Sequence, residues 1–381
     1  MQIVADANIP GLDALCGSFG TIQVVDGRSI HRAHLAHAEV LLVRSVTPVN
    51  ATLLAGTPVK FVGSATAGID HIDTETLAAR GIHFAYAPGC NAVAVAEYVL
   101  ACGLAYCAAV GRNLNELTVG VIGYGHVGQA VVHLLTALKV RCLLNDPLRA
   151  EVDPAIRYHT LPEVLDADIV TVHVPLNDTG LHPTRGLIDR HALSTMRPTA
   201  LLINAARGGV LDERVWLSLM SAGQRRYLAV DCWQGEPRID RATLTQAWVA
   251  SPHIAGHTVD ARWRATRMLA DDLARFLGQS KPDSALGPTT PSDHSVILGE
   301  ESGVLNKLHS VIQKICPLPT WTSALRGIAE RPSNEAPRYF DQLRREFGVR
   351  REFSTYSVGG TTLAPAEIQA LKALGFNFAS C

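Results

Sequence analysis

The chain has 381 residues and a nearly balanced charge, with 34 lysines and arginines against 35 aspartates and glutamates. This balance excludes a broad basic surface for nucleic acid or an anionic membrane, so any recognition of phosphate has to be local. The length suffices for about two or three domains. Neither a signal-peptide pattern nor an uninterrupted apolar run of about 18 residues is present, and the eight cysteines form no C-x-x-C pair. These features predict a cytoplasmic protein with reduced thiols.

The first 95 residues have the pattern of a small α/β unit. Strands are predicted at residues 2–5, 40–43, 60–63 and 82–85, and polar or glycine-containing loops follow them. Ligands of α/β sheets bind beyond the carboxyl ends of strands, so Arg44, Ser45 and Thr66 are expected to line one rim. An ordinary surface cation is the alternative for Arg44.

Three histidines, His31, His34 and His37, follow each other at a spacing of three. On a helix this spacing drifts around the surface, and no carboxylate or cysteine joins them at a ligand spacing. We therefore predict a solvated helix face and no metal site.

Residues 91–112 form a long apolar segment that begins at Asn91, a suitable N-cap. The segment is rich in alanine and glycine. It is predicted to be a helix that leads from the first domain to the second rather than a membrane span.

Residues 118–146 have the complete pattern of a dinucleotide-binding unit. A strand at 118–122 is followed by Gly123, Gly125 and Gly128, a helix at 127–138, a strand at 141–145 and Asp146. The three glycines allow the tight turn, the approach of the pyrophosphate and the close packing of the helix. Asp146 suits the ribose hydroxyls and disfavours a 2′-phosphate, so NAD is predicted over NADP, although Arg149 lies nearby. A turn that binds nothing is the alternative.

The alternation of strands and helices continues to residue 277 and predicts a doubly wound parallel sheet. Strands are expected at 169–173, 200–204 and 227–230, and a helix at 260–277 would return to the first domain. The cofactor and the substrate would then meet in a cleft between two lobes.

Residues 280–295 have the composition of a linker to a small third domain, which has helical and strand patterns at 304–315, 337–347, 350–357 and 365–374. The predicted division is a substrate lobe (1–95 and 256–280), an NAD-binding domain (96–255) and a C-terminal domain (281–381).

Arg207, Glu236 and His253 lie at successive ends of predicted strands. Oxidation of a secondary alcohol by hydride transfer needs a base, and imidazole titrates in the appropriate range. A carboxylate would support the imidazolium, and a guanidinium would bind a substrate carboxylate. Gly208 and Gly209 would leave room for a nicotinamide ring. A core histidine, a surface glutamate and an ion-pairing arginine are the structural alternatives.

The motifs GYGHVG, NAARGGVLDE, GEP and SPHIAG, in this order, resemble the signatures of the D-2-hydroxyacid dehydrogenase family. The segments VRSVTPVN, FVGSATAGIDHID, APGCNAVAVAEYV and FDQLRREFGVRREFS are similar to one branch of that family. This branch oxidises 4-phospho-D-erythronate to 2-oxo-3-hydroxy-4-phosphobutanoate, on the bacterial route to pyridoxal 5′-phosphate. The resemblance implies a Rossmann-type sheet inserted in a flavodoxin-like substrate lobe, and a small α+β C-terminal dimerisation domain.

The resemblance also assigns residues, with Arg207, Glu236 and His253 as the catalytic trio. Its implied NAD contacts are Gly123, Gly125, His126, Val127, Gly128, Asp146, Val174, Ala205, Asp231 and Gly256. Its implied substrate contacts are Arg44, Ser45, Thr66 and His257, where family members often carry tyrosine in place of His257.

A homodimer is implied through the C-terminal domain. The cluster Arg344, Arg345, Arg350 and Arg351 would usually be a solvated face; we hypothesise that one of these arginines reaches a partner's phosphate site. Two other functions stay open: another D-2-hydroxyacid dehydrogenase, of the 3-phosphoglycerate or glyoxylate type, and a non-catalytic NAD-sensing interaction protein.

Overall fold

A computed structural model describes residues 1–224, 226–283, 285–288, 295–298, 304–360 and 363–378. The chain divides into two compact units. The first unit comprises Met1–Asn91 and Val259–Thr290, and the second comprises Ala92–Thr258 and Pro291–Cys381. The C-terminal segment thus clusters with the second unit, and its status as a separate third domain stays a prediction.

The first unit contains a five-stranded parallel sheet. Its strands are β1 (Gln2–Asp6), β2 (Thr21–Val25), β3 (Val40–Val43), β4 (Phe61–Ser64) and β5 (His83–Tyr86), in the spatial order β2-β1-β3-β4-β5. This order is that of flavodoxin-like sheets, as expected. Strand order reverses between β1 and β3, so the carboxyl ends of these two strands flank the position where such sheets bind ligands.

Short helices and one long helix cover the faces of the first sheet. The α-helices are Leu12–Cys16, Ala51–Leu54, Thr74–Ala79 and Val259–Leu277, and the 3₁₀ helices are Gly17–Phe19, Gly27–Ser29 and Arg32–Leu35. Leu269 and Leu273 of the long helix are fully buried in one cluster with Ile3, Leu42 and Phe61 of the sheet. The segment that carries the three histidines forms only the 3₁₀ turn Arg32–Leu35 instead of the predicted helix; His31 is its N-cap, and the ring centroids of His31 and His34 lie 3.8 Å apart.

The second unit is organised around a six-stranded parallel sheet. Its strands are β6 (Thr118–Ile122), β7 (Arg141–Asn145), β8 (Ile169–Val172), β9 (Leu201–Asn204), β10 (Tyr227–Val230) and β11 (Val249–Ala250), in the order β11-β10-β9-β8-β6-β7. The four central strands have wholly or largely buried side chains, as expected for a sheet covered on both faces. The strand order reverses at β6, and the glycine turn follows this strand directly.

One long helix precedes β6, and shorter helices follow between the strands in chain order. They are Ala92–Val110, His126–Ala137, Pro147–Val152, Leu161–Leu165, Arg190–Thr195, Glu213–Ser221 and Arg241–Gln246, with a 3₁₀ turn at Leu114–Glu116. Helix Ala92–Val110 is long and apolar enough to cross a membrane, with a mean hydropathy of 1.9. Most of its side chains are instead buried within the second unit, which accounts for its apolar composition.

The C-terminal segment adds a small three-stranded sheet to the second unit. Strands β12 (Ser295–Leu298), β13 (Ser357–Gly360) and β14 (Asn377–Phe378) pair in parallel. The helices are Val304–Ile315, Leu318–Arg326, Ala336–Phe347 and Pro365–Ala373, with 3₁₀ turns at Gly327–Glu330 and Phe353–Thr355. Helix Leu318–Arg326 was not among the predicted elements, and residues 284 and 289–294 of the predicted linker lie outside the described residues.

Gly120, in the centre of β6, is a test of packing in the second unit. A Cβ at this position would lie 2.3 Å from the carbonyl oxygen of Val164. We expect Gly120→Ala to lower the free energy of unfolding by about 1–3 kcal/mol, because a backbone carbonyl cannot move aside cheaply. Urea unfolding measures the change. Gly103→Ala is the control, since its added Cβ would make an ordinary 3.5 Å contact with Leu114; equal stability of the two variants would contradict the prediction.

Candidate active site

Polar and small residues follow the strands of the six-stranded sheet at one edge. Because the strands are parallel, the residues that come directly after them lie at the same edge. These residues include the predicted cofactor contacts Gly123, Asp146, Ala205 and Asp231, and Val174 is the second residue after β8. The sheet therefore brings the predicted cofactor residues together.

The backbone and packing of the turn after β6 require glycine at two positions. Gly123 has φ +91°, a conformation that L side chains rarely adopt, and a Cβ there would lie 2.7 Å from the carbonyl oxygen of His173. A Cβ at Gly128 would lie 2.1 Å from the carbonyl oxygen of Gly123. No atom of the described residues lies within 4 Å of the missing Cβ of Gly125, so this side of the turn is open.

The first turn of helix His126–Ala137 points its backbone N–H groups into the same region. Gly125 is its N-cap and supplies no side-chain acceptor, so the N–H groups of the first turn remain available to an anion. Helix N-termini also carry a partial positive charge. His126, Val127 and Gly128 therefore fit the phosphates of a dinucleotide through their backbone.

Asp146 stands at the end of β7 and already orders the turn. Its Oδ2 accepts a hydrogen bond from the backbone N–H of Tyr124 at 2.8 Å, and its Oδ1 accepts one from the N–H of Arg149 at 3.1 Å. Each carboxylate oxygen can accept a further bond, which suits the two hydroxyls of a ribose. The residues present thus fit NAD.

His253 and Glu236 form a hydrogen-bonded pair between imidazole Nδ1 and carboxylate Oε1. The other carboxylate oxygen of Glu236 accepts from the backbone N–H of Trp233 at 3.1 Å, which fixes the carboxylate plane. His253 has φ +55°, which is unusual for a residue other than glycine and is characteristic of functional sites. Glu236 engages Nδ1, and the Cys232 side chain also lies within hydrogen-bonding reach of the ring.

The pair favours its ionised form. Burial alone raises the pKa of Glu236, but the neighbouring His253 outweighs it, and the pKa is lowered overall. Burial alone lowers the pKa of His253, but the neighbouring Cys232 sulfur and the Glu236 carboxylate outweigh it, so the pKa lies well above 6.5. The imidazole consequently holds its proton more tightly than a free histidine does.

A buried carboxylate, Asp231, holds the loop that carries His253. Its Oδ1 accepts from the Ser251 hydroxyl at 2.6 Å and from the Ile254 N–H at 2.8 Å, and its Oδ2 accepts from the Ala255 N–H at 2.9 Å. The side chain is only 1% exposed. These bonds give Asp231 a role in shaping the loop, while a direct contact of Asp231 with the cofactor stays a prediction.

Arg207 and Gly208 follow β9. The Nη1 of Arg207 donates to the Ala206 carbonyl at 2.8 Å, and the side chain is half-buried. Gly208 was expected to leave room for a nicotinamide ring, but its surroundings indicate another reason for glycine. A Cβ there would lie 1.9 Å from the Trp233 carbonyl oxygen, so its missing side chain admits the Trp233–Gln234 backbone rather than a nicotinamide ring.

The predicted substrate residues of the first unit lie beyond β3 and β4. Arg44 Nε donates to Asp6 Oδ2 at 3.0 Å, and Asp6 is fully buried at the end of β1. The Thr66 hydroxyl lies 2.6 Å from that of Ser64 and donates to the Gly68 carbonyl at 2.7 Å, while Ser45 is exposed. Arg44 is thus an oriented side chain at the point where the strand order reverses.

The C-terminal arginines are not one solvated face. Arg350 and Arg351 are buried, at 6% and 5% exposure, Arg344 is half-buried and Arg345 is exposed. Arg350 donates to the buried carboxylate of Glu97 at 3.0 Å within its own chain. Burial therefore contradicts a solvated face at these two positions, and Arg350 cannot reach a partner's phosphate site without breaking this ion pair.

Three residues that the sequence analysis did not select support the site. Tyr98 and Ser251 share a 2.8 Å hydrogen bond between hydroxyls, which extends the Asp231 network to helix Ala92–Val110. Glu213 accepts from the Gln234 N–H at 2.7 Å, and burial raises its pKa to about 7. These partners lie far apart in the sequence, so no local pattern indicates them.

His173 follows β8 directly and was not predicted as a site residue, although His253 was predicted because it follows a strand in the same way. Its Nε2 lies 2.9 Å from the Thr171 hydroxyl, and its Nδ1 is buried without a hydrogen-bond partner among the described residues. Burial lowers its pKa to about 3, so the ring is neutral at physiological pH.

The described residues contain no group of three His, Cys, Asp or Glu side chains placed to hold a metal ion. The described cysteines are free thiols, and all except Cys142 are buried. The prediction that no metal takes part stays a prediction.

The comparisons with known proteins agree with this geometry. Residues 98–255 match the family described as "D-isomer specific 2-hydroxyacid dehydrogenase, NAD binding domain". An erythronate-4-phosphate dehydrogenase from Hahella chejuensis is 39% identical over 382 residues, covering 100% of both chains. The enzyme of that name from Escherichia coli O157:H7 is 37% identical over 380 residues, covering 99% of this chain and 98% of its own. The chain belongs to the erythronate-4-phosphate dehydrogenase family.

Membership of this family confirms the predicted NAD cofactor and makes the chain an NAD-dependent 2-hydroxyacid dehydrogenase. Solved structures confirm the fold. D-lactate dehydrogenase from Aquifex aeolicus, complexed with NAD and lactic acid, has a TM-score of 0.61 at 22% identity and covers 76% of this chain and 100% of its own. The NAD-bound 3-phosphoglycerate dehydrogenase of Entamoeba histolytica has a TM-score of 0.61 at 20% identity, with coverages of 76% and 99%. Each of these neighbours leaves about a quarter of this chain without a counterpart.

Asp231→Asn tests the loop network. Asparagine offers one oxygen and one NH₂ group, so at least one of the three buried donors loses its acceptor. We expect the free energy of unfolding to fall by about 1–3 kcal/mol, and turnover to fall with it because the loop carries His253. Asp189→Asn is the control, because Asp189 caps a helix through the Ala192 N–H and asparagine caps equally well. Chemical unfolding and steady-state rates measure both variants; an Asp231→Asn protein as stable as the control contradicts the prediction.

Proposed function

We propose that the protein oxidises 4-phospho-D-erythronate to 2-oxo-3-hydroxy-4-phosphobutanoate with NAD, as a step toward pyridoxal 5′-phosphate. The full-length similarity to relatives of that name carries the proposal. The paired His253 and Glu236 support it independently, because hydride loss from an alcohol requires a base at the hydroxyl.

His253 is the base in this proposal. Its Nε2 accepts the proton of the C2 hydroxyl, while Glu236 holds Nδ1–H and stabilises the imidazolium that forms. When bound, NAD would supply the acceptor for the hydride that leaves C2. Arg207 binds the substrate carboxylate and places positive charge beside the oxygen that becomes a carbonyl.

The first unit supplies the groups that suit the phosphate. Asp6 engages Nε of Arg44, which leaves the Nη groups of the guanidinium for an anion. Burial lowers the pKa of the Arg262 guanidinium, and the positive charge of Arg44 lowers it further, so two cations lie close enough to interact. A phosphate dianion would relieve this repulsion. We propose Arg44 and Arg262 as phosphate contacts, with Ser45, Thr66 and His257 as further substrate contacts.

The remaining cofactor contacts belong to the proposal as well. Gly123, Gly125, His126, Val127 and Gly128 bind the pyrophosphate through backbone amides, and Asp146 binds the adenosine ribose. The residues proposed near the rest of the dinucleotide are Val174, Ala205, Asp231 and Gly256. A cytoplasmic homodimer that assembles through the C-terminal segment completes the proposal.

Steady-state assays with NAD test the substrate. We expect the wild-type protein to oxidise 4-phospho-D-erythronate with a kcat/KM at least about 100-fold above that for D-erythronate, since charge-assisted bonds to the phosphate contribute several kcal/mol. Arg44→Gln, which can still donate to Asp6, should lower this ratio at least about tenfold. Arg80→Gln, at an exposed position of the same unit, is the control. Preferred oxidation of 3-phosphoglycerate or glyoxylate-type substrates would contradict the proposal, and NADH binding without any turnover would favour the non-catalytic alternative.

The rate of oxidation should depend on the ionisation of His253. The base has to be neutral, so kcat/KM should rise with pH through a midpoint above 6.5, where the raised pKa of His253 places it. Reduction of the 2-oxo acid needs the protonated ring and should fall through the same midpoint.

Glu236→Gln removes the carboxylate that raises the pKa of His253, so its midpoint should move to lower pH while NADH affinity stays near that of the wild type. Glu163→Gln, in an exposed capping box, is the control. A midpoint in Glu236→Gln equal to that of the control would assign the pH dependence to another group.

A further inference from the structure

The segment Gly348–Glu352 lies against the loop Ser251–Thr258 within the second unit. The side chain of Arg350 is buried and makes four hydrogen bonds to three other parts of the chain. Its Nη1 donates to Glu97 Oε2 at 3.0 Å and to Cys316 Sγ at 3.7 Å. Its Nη2 donates to the carbonyls of Ala94 at 2.9 Å and Ala255 at 2.6 Å. Arg350 therefore ties the loop to the start of helix Ala92–Val110.

The peptide groups on both sides of Ala255 are consequently fixed. Its N–H donates to Asp231 at 2.9 Å, and its carbonyl accepts from Arg350 at 2.6 Å. Ala255 follows His253 by two residues and precedes His257 by two. A loop that carries two functional imidazoles is thus held at its midpoint by one anion and one cation, both buried.

The same C-terminal segment limits the position of the His257 ring. A Cβ on Gly348 would lie 2.5 Å from His257 Cδ2 and 2.9 Å from Nε2. Gly348 has φ −70° and ψ 7°, which any residue can adopt. Glycine is therefore not required by the backbone at this position; the space for the imidazole is what a larger residue would remove.

Two further bonds strengthen this arrangement. The backbone N–H of Phe353 donates to Glu97 Oε1 at 2.6 Å, so both oxygens of Glu97 serve the C-terminal segment. Thr258 donates to Glu352 Oε1 at 3.4 Å at the far end of the loop. A planar guanidinium suits the central place because it can donate in several fixed directions at once, which an ammonium on a flexible stem cannot match.

We propose that the segment Gly348–Glu352 is a positioning element of the active site, in which Arg350 sets the backbone of the His253 loop and Gly348 seats the His257 ring. The C-terminal segment then serves turnover within its own subunit, in addition to any role in assembly. This inference rests on the proposed function, in which the loop supplies the base and a substrate contact.

Gly348→Ala is the most direct test, because it disturbs the His257 ring while its backbone stays compatible. We expect kcat/KM for 4-phospho-D-erythronate to fall about tenfold, as small displacements of reacting groups cost at least this much. The melting temperature and the affinity for NADH should stay close to wild-type values, since the two nearest atoms belong to the His257 ring and the Arg344 carbonyl oxygen lies farther away, at 3.2 Å. Gly103→Ala is the matched control. Kinetics of Gly348→Ala equal to those of Gly103→Ala overturn the proposal.

Arg350→Lys keeps the positive charge beside Glu97 but cannot serve Ala94 and Ala255 together. We expect kcat to fall about tenfold with a smaller change in NADH affinity. A wild-type kcat in a folded Arg350→Lys protein overturns the proposal. A parallel loss of stability, NADH binding and turnover in Gly348→Ala also overturns it, because that result would indicate a merely structural role.

The imidazole NMR resonances of His257 give a readout that does not depend on the substrate. They should shift in Gly348→Ala and stay unchanged in Gly103→Ala, and an unshifted His257 in Gly348→Ala overturns the positioning role. If the wild-type protein fails to oxidise 4-phospho-D-erythronate, the proposed function fails, while these resonances still decide the inference.

Discussion

The second unit depends on a carboxylate that never reaches the solvent. Asp231 stands at the end of β10 and accepts hydrogen bonds from Ser251, Ile254 and Ala255, so that one buried anion closes the loop after β11. An uncompensated buried charge is costly, and three donors make its burial tolerable. The loop therefore cannot open without exposing Asp231 or leaving it unsatisfied. This constraint gives His253 a defined position although its backbone conformation is an unusual one.

Two kinds of charged residue surround His253: one contacts its imidazole ring, and the others position the loop that carries it. Glu236 touches the ring and raises its pKa, whereas Asp231 and Arg350 bind the backbone of the loop on which the ring stands. Asp231 and Arg350 bind Ser251 and the backbone of the loop rather than the imidazole ring. The position of the loop is therefore fixed by contacts other than the hydrogen bond between His253 and Glu236.

Much of the fold follows from local patterns in the sequence. The buried strands and the glycine turn with Asp146 were predicted closely, because apolar runs and φ-demanding glycines leave a signal in a short window. Strand β2 was missed: it is a largely exposed edge strand, and its sequence TIQVV lacks a buried face. Helix Leu318–Arg326 begins next to Pro317 and contains a further proline in its first turn, which reads as a loop without its tertiary contacts.

The site shows the same limit. The trio Arg207, Glu236 and His253 could be selected because each follows a strand, whereas the residues that support it could not. Ser251 and Tyr98 are 153 positions apart, and Arg350 and Ala255 are 95 positions apart. The arginine cluster was misjudged for a related reason, since the charge pattern that predicts a solvated face cannot reveal a buried partner such as Glu97.

The discontinuous make-up of the first unit has a consequence for biosynthesis. One face of its five-stranded sheet is covered by Leu269, Ala270, Leu273 and Ala274 of helix Val259–Leu277, and the whole of residues 92–258 intervenes before that helix. As the polypeptide leaves the ribosome, the early strands emerge with an apolar face that has no cover yet. The intervening residues can meanwhile fold around the nucleotide-binding sheet. Residues 1–91, which are translated first, thus complete their native core only after residues 92–258 have been translated.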